Sequence, residues 1–125
     1  MSGLERLVCP HCGLSPDERS RAVVSWLAPA VADRVAAVLL AVSRRFGVTV
    51  ETILGPDRTG HVARARQVAE GAVWRVTDLS YPDIGRVFGG RHHTTILAGV
   101  RKAEAVYPSD IGVVVAAVEK ENTHD

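Results

Sequence analysis

The chain has 125 residues, enough for one domain of ordinary size and too few for two with substantial cores. Its 46% apolar and 23% charged content is ordinary for a globular protein, and a 5% aromatic share leaves Val, Leu, Ala and Ile to fill the core. No apolar run reaches the roughly 20 residues of a membrane span. Residues 35–42 are closed by Ser43-Arg44-Arg45, and residues 1–8 lack the apolar centre of a signal peptide, so a cytoplasmic protein is expected.

The formal net charge of +1 conceals an uneven distribution. Residues 58–102 carry eight Lys or Arg against three Asp or Glu, while residues 103–125 carry one against five. A local basic excess of this kind neutralises phosphates, the sequence-independent part of nucleic-acid affinity, or else decorates a solvated helix face.

In chain order, residues 1–19 read as a separate element holding Cys9-Pro10-His11-Cys12-Gly13 and the turn-like Ser15-Pro16-Asp17. A connecting helix is expected from Asp17 to about Leu27, with its acidic residues in the first turn. Pro29 then breaks it or opens the next helix at its first position. Val31, Val35, Val38, Leu39, Val42 and Phe46 recur at helical spacing, and Gly47 suits a left-handed cap. Thr49 caps a short helix over residues 50–54, which Gly55-Pro56 stops. After a loop carrying Arg58, a longer helix spans about 62–77, with Val62, Ala65, Ala69, Val73 and Val76 on one face; Gly71 either weakens it or permits a close helix contact.

Ser80, followed three residues later by Asp83 and with Pro82 in the first turn, predicts a helix start. That helix is short, with Ile84, Val87 and Phe88 buried, and Gly89-Gly90 forces a turn. Another helix is expected from near Arg91 to about Tyr107, with Ile96, Leu97, Val100 and Ala103 facing inward. Pro108 ends it, and a last helix carries Ile111, Val114, Val115 and Val118 into an acidic tail. The chain reads as all-α, a helical bundle containing a helix-turn-helix and preceded by a CxxC knuckle.

In a helix-turn-helix the first residues of the second helix enter the major groove. Here they are Arg91, His92, His93, Thr94 and Thr95, all able to hydrogen-bond. Arg91 suits a phosphate or guanine, His93 a base edge, and the threonine methyls a thymine methyl. Backbone N–H groups at the helix starts add phosphate sites.

The strings Val62-Ala-Arg-Ala-Arg-Gln67 and Tyr81-Pro-Asp-Ile-Gly-Arg-Val-Phe-Gly-Gly-Arg-His-His-Thr-Thr-Ile-Leu97 closely resemble the C-terminal DNA-binding domain of DnaA, the bacterial chromosomal replication initiator. The resemblance runs from about Asp33 to Lys102 and implies a double-stranded DNA reader of short, asymmetric, A·T-rich sites. It implies Arg58 in the minor groove, and Tyr81 and Pro82 against backbone or thymine methyls. His93, Thr94 and Thr95 would read bases and Arg91 would meet phosphate; Arg64 and Arg66 are further candidates for DNA contact. Three positions depart from the family's pattern. His92 stands where the family usually has Asp, which leaves the preferred base open; Trp74 replaces a usual basic residue, with Arg75 beside it; and the loop over residues 55–61 is less basic.

No G-x-x-x-x-G-K-[ST] phosphate loop occurs in these 125 residues, so no nucleotide is expected and the chain is read as a non-ATPase regulator of replication or transcription, not an enzyme. Cys9 and Cys12 have the spacing of one zinc knuckle, with His11 a strained third ligand and His61, His124 or a second chain as sources of more. The other reading of the pair is two free thiols left from a former knuckle. The domain division expected is 1–19 knuckle, 20–32 connecting helix, 33–107 DnaA-like domain and 108–125 terminal helix and tail. The alternative function is a protein-interaction adaptor in which the N-terminal segment grips a partner or a second copy and DNA binding is weak or non-specific.

Overall fold

The computed structural model describes residues 24–122. Within them the chain forms six helices: α1 Pro29–Phe46, α2 Val50–Leu54, α3 Gly60–Val76, α4 Tyr81–Val87, α5 His93–Val106 and α6 Pro108–Asn122. The all-α reading holds, and the described residues contain no strand. Cys9, His11, Cys12 and His124 lie outside the described residues, as does most of the expected connecting helix. Its last part, residues 24–27, is a turn closed by Leu27 N–H donating to the Val24 carbonyl at 3.0 Å, so the helix does not extend to Leu27. Pro29 instead opens α1, where its fixed φ and missing donor fit.

The central helix is α3, which packs against each of the other five. Its buried residues, Val62, Ala65, Arg66, Val68, Ala69, Glu70, Gly71, Ala72 and Val73, lie on more than one face, as a surrounded helix requires. Small side chains let its neighbours approach. At Gly71 a Cβ would meet the Ile111 Cδ1 at 2.9 Å, so this glycine permits a close contact with α6. Val35, Val38, Leu39 and Val42 of α1, Ile84 and Val87 of α4, Ile96 and Val100 of α5, and Ile111, Val114 and Val118 of α6 complete one core. Each such aliphatic side chain contributes about 1.5–3 kcal/mol on burial.

Local chemistry sets the boundaries. Thr49 accepts from the Thr52 N–H, and Ser80 accepts from the Asp83 N–H at 3.3 Å. Gly47 ends α1 with φ 66° and donates to the Ser43 carbonyl. Between α4 and α5, Gly89 and Gly90 have φ 83° and 80°, values that other residues rarely adopt. The Gly90 and Arg91 N–H groups both donate to the Gly85 carbonyl at 2.9 Å, which folds the turn back onto α4. The second helix therefore starts two residues later than expected. Arg91 belongs to the turn, and His92 is the N-cap.

Gly85 is where the turn has no slack, because a Cβ there would lie 2.1 Å from the Arg91 carbonyl oxygen. Gly85→Ala is expected to destabilise the protein by about 2–4 kcal/mol in urea unfolding. Gly112→Ala, on α6 with nothing within 4 Å of the new methyl, is expected to be neutral or to stabilise by up to about 1 kcal/mol. Equal effects of the two substitutions would contradict this account of the turn.

Candidate nucleic-acid interface

Three residues on the first turn of α5 and its cap stand exposed side by side: His93, Thr94 and Thr95 with His92. The next residue inward, Ile96, is fully buried beneath them, so the turn is held by the core while its polar groups face solvent. The imidazole of His92 accepts at Nδ1 from the Thr94 N–H at 3.2 Å and lies 2.8 Å from the Thr94 hydroxyl. Its ring packs on that of His93, with centroids 4.2 Å apart.

Arg91 does not join this exposed row. It is half-buried, and its guanidinium donates from Nη2 to the Gly55 carbonyl at 2.7 Å. Arg66 of α3 reaches the same place, donating to Ile53 O at 2.7 Å, Gly55 O at 2.8 Å and Thr52 O at 3.3 Å. These are carbonyls at the C-terminal end of α2, where a helix leaves its last acceptors short of backbone partners. Of the three, only Thr52 O also accepts a backbone N–H among the described residues, from Gly55 at 3.2 Å. Arg66 is only 6% exposed, so its guanidinium serves the fold. The two arginines thereby tie α3 and the start of α5 to the base of the loop that carries Arg58, which is itself exposed.

Glu70, one helical turn beyond Arg66, completes the buried cluster at 2% exposure. Its carboxyl lies over Gly99 of α5, where a Cβ would come 2.0 Å from Oε1, so the absence of a side chain at Gly99 makes its room. Burial pushes the Glu70 carboxyl up to about 8, against Arg91 and Arg66, which favour its charged form. Burial also pulls Arg66 below the usual guanidinium range, and the Arg91 charge acts in the same direction. The sequence reading overlooked Glu70. Its signal was a carboxylate four residues after Arg66 on a helix whose other inward positions are small or apolar.

The remaining expected contacts fall elsewhere. Arg64 pairs with Asp110 at 2.7 Å, and its guanidinium lies 4.8 Å from the Tyr107 ring centroid. Arg45 binds the other oxygen of Asp110 at 2.6 Å, so this cluster ties α1, α3 and the start of α6. Arg64 holds Asp110 below the usual carboxylate range, with Arg45 assisting, although burial opposes them. Tyr81 is half-buried and stacks on Trp74 at 4.3 Å and 11°, while Pro82 is exposed in the first turn of α4. Arg75 stands 3.9 Å from Glu104, and Arg86 covers Trp26 at 4.1 Å. His61, one of the candidate further zinc ligands, contacts the Phe46 carbonyl through Nε2 at 2.6 Å.

A short helix, a glycine turn and a longer helix with a polar, exposed first turn define a helix-turn-helix protein. Comparison with known families then gives the particular kind. The model described as bacterial dnaA protein helix-turn-helix matches residues 35–103, more than half of the chain, and the chain belongs to that family. Membership implies DNA binding. Among similar proteins, the chromosomal replication initiator protein DnaA of Cereibacter sphaeroides (strain ATCC 17029) is 44% identical over 69 residues, covering 55% of this chain and 15% of that protein. The same-named protein of Bradyrhizobium sp. (strain ORS 278) is 44% identical over 72 residues, 58% of this chain and 15% of its own length. That of Nitrobacter hamburgensis is 46% identical over 69 residues, 55% and 14%. The chain thus spans about one seventh of the length of these relatives. No described helix is long and apolar enough to cross a membrane.

Two outcomes follow from the buried cluster. Arg66→Met should destabilise by about 3–5 kcal/mol in urea unfolding without any DNA present, because the α2 carbonyls lose their donors; a neutral result would return Arg66 to the surface. The Glu70 carboxyl is held above its unfolded value, so its protonated form supports the fold. That contribution is complete below about pH 4.5 and is lost as the pH rises through about 8. Thermal unfolding between pH 5 and 9 should show the wild type losing more stability than Glu70→Gln, and parallel curves would refute it.

Proposed function

We propose that the protein binds double-stranded DNA sequence-specifically at short, asymmetric, A·T-rich sites of the DnaA-box type and regulates replication or transcription there. The observation that carries this reading is the exposed row His92–Thr95 at the start of α5, mounted on buried Ile96. In this reading α5 enters the major groove, where His93, Thr94 and Thr95 meet base edges and thymine methyls. Arg58, on the loop anchored at Gly55 by Arg66 and Arg91, reaches the adjacent minor groove, whose negative potential is strongest where A·T tracts narrow it. Pro82, with Tyr81 behind it on Trp74, lies against the backbone. Arg66 and Arg91 act as supports of that surface, since their guanidinium groups already bind α2 carbonyls. The regulatory role rests on the similarity to chromosomal replication initiator proteins, whose sites such a chain would occupy.

A mobility-shift titration with a DnaA-box duplex and a scrambled duplex, repeated at several salt concentrations, tests the proposal. Preference for the box should persist as salt rises, while overall affinity falls. Arg58→Ala and Thr95→Ala should each weaken binding to the box by about 1–3 kcal/mol, with unchanged unfolding curves. Equal affinity for the two duplexes, or wild-type binding by both variants, would overturn it.

A further inference from the structure

The cap of α5 fixes which hydrogen-bonding face His92 turns outward. A neutral imidazole carries one N–H and one bare nitrogen, and the partner of one nitrogen decides the state of the other. Nδ1 of His92 accepts from the Thr94 backbone N–H at 3.2 Å, so it holds no proton. The Thr94 hydroxyl lies 2.8 Å from the same atom. Two facing lone pairs would repel there, so the hydroxyl donates. Its oxygen is then left as an acceptor, and the imidazole proton stays on Nε2, at the far edge of an exposed ring.

Orientation is constrained as well as tautomer. The ring is tied at Nδ1 and packs on the His93 ring at 4.2 Å, with 33° between planes. Ile96, whose N–H donates to the His92 carbonyl at 3.2 Å, anchors the cap residue's backbone to the core. A side chain held in this way offers the groove a single hydrogen-bond donor in a fixed place, with little freedom to adapt to a different base.

The geometry points to His92 as a specificity-determining residue that reads, through Nε2–H, a base presenting a major-groove acceptor and disfavours a base presenting only an amino group. This rests on the DNA reading of α5 given above. Purine N7, guanine O6 and thymine O4 satisfy such a donor, whereas the cytosine N4 amino group faces it with another donor. The His92 imidazole therefore selects at one base pair while capping the helix.

Two substitutions separate capping from reading, because Asn and Asp both cap helices well. In His92→Asn the amide oxygen takes the Thr94 N–H and the NH2 group points outward as a donor. In His92→Asp one oxygen caps and the other offers only an acceptor. Selection from a randomised duplex pool with the full chain should give the same consensus for wild type and His92→Asn. His92→Asp should differ at a single position, where an amino-bearing base gains about tenfold. Identical consensus for all three proteins, or a shift in His92→Asn matching that of His92→Asp, would overturn the inference. No enrichment by the wild type would instead remove the DNA reading, and the inference with it. The tautomer is checked without DNA by 15N-resolved NMR of the histidine rings. His92 should show a protonated Nε2 and a bare Nδ1, and the opposite pattern would refute the mechanism even if the base preference shifts.

Discussion

The Gly55 carbonyl accepts from two guanidinium groups, Arg66 at 2.8 Å and Arg91 at 2.7 Å, and much of the candidate interface depends on that meeting. A five-residue helix such as α2 has too few internal bonds to be stable by itself. Its C-terminal carbonyls are instead satisfied from α3 and from the turn before α5. The consequence is geometric. The loop bearing Arg58, the central helix and the start of α5 share one joint, so a displacement of any one of them breaks hydrogen bonds made by the others.

Bringing two cations to one carbonyl carries an electrostatic penalty, and Glu70 lies where its charged form, which burial disfavours, would offset that penalty. A charged Glu70 favours both arginines, while its own burial favours the neutral form. The two tendencies oppose one another within one cluster, and Gly99 supplies the space in which the carboxyl sits. Buried ionic groups of this kind contribute little net stability, yet removing one partner strands the rest. The cluster is better understood as fixing the placement of α5 on α3 than as a source of folding energy.

How much of this could be read in the sequence depends on whether the cause is local. Helical periodicity located α1 and most of α3 and α5, and Thr49, Ser80 and Gly89-Gly90 located ends and turns, because caps and positive φ act over a few residues. The spacing makes Arg91 and His92 the first two residues of a helix that begins only at His93. Nothing in the adjacent residues shows that Arg91 would leave for a carbonyl 36 positions earlier. The same reason hid Arg66, which looks like a surface charge until its carbonyl partners are known. Trp26 against Arg86 and Asp110 between Arg45 and Arg64 are likewise pairings across the bundle that spacing does not encode.

Those pairings also change what the basic excess of residues 58–102 means. Arg66 and Arg91 bind carbonyls, Arg64 binds Asp110, Arg75 faces Glu104 and Arg86 covers a tryptophan ring. The exposed cations Arg58, Arg86, Arg101 and Lys102, which make no ion pair among the described residues, remain as the direct electrostatic attraction for phosphate. Counterion release scales with the number of phosphates neutralised, so an interface of this kind gains less from non-specific attraction than its sequence charge suggests. Under the proposed function, a larger share of the affinity then comes from groups whose hydrogen-bonding pattern is fixed before DNA arrives. Such groups lose little conformational freedom on binding, and a mismatched base leaves them unsatisfied. The cap at His92, which fixes the imidazole and the Thr94 hydroxyl together, is built in that way. On the proposed reading of α5, a weaker electrostatic hold and a rigid reading turn are two results of the same use of arginine.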